Sequence, residues 1–91
     1  MSIAIVGGHD CMVRQYKDLC KNYKCRAKVF TQINGIKNQL GSPDLLILFT
    51  NTVSHKMVRQ AISVLPSKDI EIVRSHTSSL NALKEILEEH T

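Results

Sequence analysis

Leu45-Leu46-Ile47-Leu48-Phe49 is an unbroken apolar run, bounded by Gly41-Ser42-Pro43 before it and by polar Thr50-Asn51-Thr52 after it. Apolar residues without alternation fit a central strand covered on both faces, the kind found in parallel sheets flanked by helices.

Working outward, Ser2–Val6 is a second apolar, β-branched run that ends in Gly7-Gly8 and reads as another buried strand. Asp10 is placed to cap a following helix, on which Val13, Tyr16, Cys20 and Tyr23, with Leu19 beside them, recur at helical spacing. Arg26–Phe30 alternates and carries charge, as an edge strand does. Residues 31–41 are the least defined and predict at most a short helix over 36–40, stopped at Gly41-Ser42-Pro43. Beyond the central run, polar residues 50–54 offer several caps. A helix then runs to about Leu65, with Val58, Ala61, Ile62 and Leu65 on one face and Pro66 at its end. Ile70-Glu71-Ile72-Val73 predicts a fourth strand. A polar loop from Ser75 to Ser79 leads into a last helix with Leu80, Leu83, Ile86 and Leu87 inward. Glu85, Glu88 and Glu89 near that helix's end oppose its dipole and predict fraying there, with His90 in the frayed tail.

Strand and helix thus alternate over residues 1–91, read as a single domain. Right-handed crossovers then give an open, four-stranded parallel α/β sheet with helices on both faces, Rossmann- or flavodoxin-like. The expected strand order is 2-1-3-4, and in such sheets ligands bind at the carboxyl ends where the order reverses.

Composition narrows the function classes. The 91 residues include no Trp, so Ile, Leu, Val, Met and Ala make the core; a chain this small gains from homodimer formation. No run approaches the roughly 20 apolar residues of a membrane span, and the amino terminus lacks the basic leader of a secretory signal. Cys11, Cys20 and Cys25 are odd in number without staple-like spacing, which favours reduced thiols and a cytoplasmic location. Net charge is +4, with seven Lys and Arg against two Asp in residues 1–40. The basic face suits an anionic ligand or plain solvation; nucleic acid is disfavoured because no aromatic platform accompanies it.

Three of the four histidines follow strands: His9, His55 and His76. On the expected sheet their loops share one edge, with Cys11 and Met12 beside His9. Imidazole and sulfur are ligands for transition metals and haem iron, so His9, Cys11, His55 and His76 form a candidate metal or haem site. The competing reading makes Asp10, Ser54, Ser78 and Ser79 ordinary helix caps and the histidines ordinary loop residues. Arg14, Lys56 and Arg59 are candidates to meet propionates or a small anion, or are simple surface charge. The Gly7-Gly8 turn lacks both the G-x-G-x-x-G and the P-loop signatures, which argues against a dinucleotide site. Cys11, beside His9 and near a helix start, is also a candidate nucleophile for a cysteine-dependent hydrolase or redox enzyme. Cys20 and Cys25 read as structural.

Ile5-Val6-Gly7-Gly8-His9-Asp10, the Asn34-Gly35 turn, Asp44, Thr50-Asn51-Thr52-Val53-Ser54-His55 and Arg74-Ser75-His76-Thr77-Ser78-Ser79 together resemble the bacterial domain-of-unknown-function family 2325. The resemblance covers nearly the whole chain. Many members carry Arg-Lys after the Asn-Gly turn, where this chain has Ile36-Lys37, and Ser-Trp where it has Ser78-Ser79. The resemblance implies small Rossmann-like modules, for which haem binding or trafficking has been suggested, and it points to His9 and His55.

Overall fold

The computed structural model describes residues 1–32, 39–65 and 69–91. Four strands, β1 (Ser2–Val6), β2 (Arg26–Phe30), β3 (Leu45–Phe49) and β4 (Glu71–Ser75), form one parallel sheet in the order β2-β1-β3-β4. Three α-helices are described: α1 (Val13–Asn22), α2 (His55–Ser63) and α3 (Leu80–His90). A single 3₁₀ turn, Asp10–Met12, precedes α1. The short helix expected over 36–40 and the stop at Pro66 lie outside the described residues.

Register explains why the central run is continuous. Ile5 stands opposite Val29 on one side and Ile47 on the other, and Ile47 stands opposite Val73. Every residue of β3 is buried because helices cover both faces. Alternate side chains divide between two cores. Ile3, Ile5, Leu45, Ile47 and Phe49 pack with Tyr16 and Cys20 of α1 and Leu83 and Leu87 of α3. Ala4, Val6, Leu46 and Leu48 pack with Met57 and Ala61 of α2 and with Leu40. The edge strand β2 keeps Arg26 and Lys28 exposed, which blunts its free edge.

Three expectations are corrected. Asp10 does not cap α1: it sits inside the 3₁₀ turn, its carboxylate accepts from the Thr31 hydroxyl, and Met12 at the α1 N-cap makes no side-chain cap. Strand β4 lies further along than expected, through Arg74 and Ser75, because β3 supplies ladder partners at Leu48 and Phe49. The last helix runs to His90, whose Nδ1 lies 3.2 Å from Glu71 Oε2 and ties the helix end to the start of β4. A histidine in the last turn also complements the dipole that the glutamates oppose.

Candidate functional site

Strands β1, β3 and β4 are neighbours and parallel, so the loops after Val6, Phe49 and Ser75 leave the same edge of the sheet. Helix α1 then packs on one face and α2 on the other, which places the order reversal between β1 and β3.

The Gly7-Gly8 turn is forced by its surroundings. Its φ angles are +107° and +85°, a region L side chains rarely adopt. A Cβ on Gly8 would lie 2.7 Å from the Tyr16 ring, and one on Gly7 would lie 2.7 Å from Val53 Cγ1. Both amides are engaged inside the fold. Gly7 N–H donates to the Phe30 carbonyl at 2.8 Å, and Gly8 N–H donates to Thr52 Oγ1 at 2.7 Å. The Thr52 hydroxyl in turn donates to the Phe49 carbonyl at 3.1 Å. These two amides therefore do not form an anion cradle. The Gly7 amide ties the turn to the end of β2, and the Gly8 amide fastens the loop bearing His9 to the loop that leads into His55 at the start of α2.

His9, Cys11, His55 and His76 are all exposed at this edge; Arg14 and Lys56, in the first turns of α1 and α2, and Arg59, one turn further along α2, are exposed as well. Met12 and Val53, in the same two loops as His9 and His55, are half-buried and pack on opposite cores. Ser54 caps α2 by accepting from Met57 N–H at 3.3 Å, and Ser79 caps α3 by accepting from Ala82 N–H at 3.1 Å. Ser78 acts differently from the expected cap. It is buried, and its carbonyl accepts from the Tyr16 hydroxyl at 2.6 Å.

His76 is steadied by its neighbour across the sheet. Thr50 donates its hydroxyl proton to the Ser75 carbonyl at 3.1 Å, and Thr50 Oγ1 lies 3.3 Å from His76 Nδ1.

Among the described residues, no three or more His, Cys, Asp or Glu side chains gather as a group able to hold a metal ion. His9, Cys11, His55 and His76 thus share an edge without closing into one metal centre within a chain. Cys11 lies in the 3₁₀ turn before α1, not at the start of α1 itself. Two cavities lie away from this edge: one of about 220 Å³ beside the amino ends of β1 and β2, and a groove of about 290 Å³ between α1 and α3; neither is lined by a histidine.

Sequence reasoning missed Thr52, Tyr16 and Thr50, which position the edge. Their signal was only a hydroxyl next to a strand end or on a buried helix face, and the partners lie 44, 62 and 25 residues away in sequence.

An open parallel sheet with its polar loops gathered at the carboxyl edge defines a Rossmann-like α/β module. The profile of the family described as "Uncharacterized protein conserved in bacteria (DUF2325)" matches residues 2–90, and the chain belongs to that family. A search of curated proteins and a search of solved structures each returned no match. Among the described residues no helix is long and apolar enough to cross a membrane.

Proposed function

We propose that this chain is a non-catalytic binding module that takes haem at the carboxyl-edge crevice between β1 and β3. The observation that carries the reading is the 2.7 Å bond from Gly8 N–H to Thr52 Oγ1, which joins the loop bearing exposed His9 to the loop that leads into exposed His55 at the strand-order reversal.

The donor set fits haem better than a bare transition-metal ion. A closed metal site takes about three or four protein ligands, whereas haem iron needs one or two axial ones. His9 and His55 supply imidazoles, and Cys11 a thiol close in sequence to His9. Met12 and Val53 offer apolar surface in the same loops, and Arg14, Lys56 and Arg59 offer cations for the propionates. Bound haem would bring redox and gas-binding chemistry that the protein's own groups lack. A chain of this size covers only part of a porphyrin, so the reading includes a homodimer that sandwiches it.

Hemin titrated into the purified protein is expected to give a sharpened Soret band. His9→Ala or His55→Ala should weaken it, and complex formation should double the mass seen by light scattering. A spectrum identical to free hemin, or identical in wild type and both variants, overturns the assignment.

A further inference from the structure

The carboxyl end of α1 carries a second feature, independent of the edge site. The chain reverses there through a Schellman motif. Cys25 N–H donates to the Cys20 carbonyl at 2.9 Å, and Lys24 N–H donates to the Lys21 carbonyl at 2.9 Å. Lys24 takes the left-handed conformation, φ 60°, at the position where glycine is usual. The side-chain contact of this motif joins the third-last helical residue to the second residue beyond the cap. Here those residues are Cys20 and Cys25.

Both thiols are free and buried in the same core, Cys20 at 0% exposure and Cys25 at 7%. A backbone hydrogen bond between two residues sets their Cα atoms roughly 5–6.5 Å apart, within the range that a disulfide spans. Their proximity also shows in acidity: the Cys20 thiol is pushed up to about 11, first by burial and then by the neighbouring Cys25. Cys11 stands apart in the 3₁₀ turn at the other end of α1.

We propose that Cys20 and Cys25 are a dithiol that closes into an intrachain disulfide across the end of α1 when the protein meets a low-molecular-weight disulfide. Cys25 is the more open of the two and attacks first. Its thiol gives its proton to solvent, its sulfur bonds to one sulfur of the small disulfide, and the other leaves as a thiol. Cys20 then loses its proton and attacks the Cys25 sulfur, and the second small thiol leaves. Two protein thiols are oxidised and one small disulfide is reduced to two thiols. Burial of Cys20 makes the closing step slow at neutral pH and faster as pH rises.

The test uses the full chain with oxidised glutathione under native conditions, followed by acid quench, alkylation and trypsin digestion without reductant. Lys21 and Lys24 lie between the two cysteines, so closure appears as residues 18–21 covalently joined to residues 25–26, and reduction separates them. Cys11→Ser should keep this bridge, and Cys25→Ser should abolish it. Three results overturn the proposal: Cys20 and Cys25 both alkylated while Cys11 carries glutathione, Cys25 bridged to Cys11, or a bridge that forms only in urea.

Discussion

The two faces of the sheet are built from different material. On the α1 and α3 face, two helices enclose aromatic rings and sulfur: Tyr16 and Phe49 lie 5.5 Å apart between ring centroids, and Cys20 and Cys25 sit in the same cluster. On the α2 face the core is mostly aliphatic, with Ala4, Val6, Leu46 and Leu48 against Met57 and Ala61, and it takes in the Phe30 ring and the Met57 thioether but no thiol. The first face also carries a buried polar link, the Tyr16 hydroxyl on the Ser78 carbonyl. That link fixes α1 relative to the loop after β4, so this face holds the carboxyl edge in shape, whereas the other contributes mainly apolar burial.

Cutting one large side chain from each face should separate them most clearly. Leu83→Ala removes a fully buried group and should cost about 3–5 kcal/mol, while Met57→Ala, 8% exposed, should cost about 2 kcal/mol because its rim can relax. Urea unfolding of both variants checks the ranking, and equal losses would erase the difference between the faces.

The next effect belongs to the thiol-bearing face alone. Cys20 ionises near 9.0 when unfolded and near 11 when folded, so the unfolded chain loses its proton first as pH rises. Stability on this account is fully present below pH 9 and should fall by on the order of 2 kcal/mol by pH 11. Thermal unfolding of wild type and Cys20→Ala across that window isolates the contribution, which the variant should lack.

The smallest effect sharpens the comparison by testing where the faces are alike. Ser54 and Ser79 cap α2 and α3 through the same hydroxyl-to-amide geometry. Each Ser→Ala change should therefore cost about 1 kcal/mol. Circular dichroism melts compare the two, and a much larger loss at Ser79 would tie its hydroxyl to Thr77, 3.1 Å away, as well as to the helix.

Much of this was legible along the chain. The strand order, both serine caps and the common edge of His9, His55 and His76 follow from apolar periodicity and turn residues. Asp10 shows where that reading fails. An acidic residue before a helical pattern looks like a cap, yet Thr31, reached only once β2 lies beside β1, engages its carboxylate instead. His90 shows the same limit at the other terminus: three glutamates make the helix end look unfavourable, and only the fold brings Glu71 alongside His90 to hold it.

Apolar spacing and turn residues already set which segments are strands and helices, which faces they bury and that the sheet is parallel, because those are properties of near neighbours and of repeat length. It took the folded chain to bring Gly8 to Thr52 and Tyr16 to Ser78, and to show that, among the described residues, His9, His55 and His76 close no metal centre on their shared edge. Each of these depends on groups far apart in the chain, which crossover and packing bring together once it has folded.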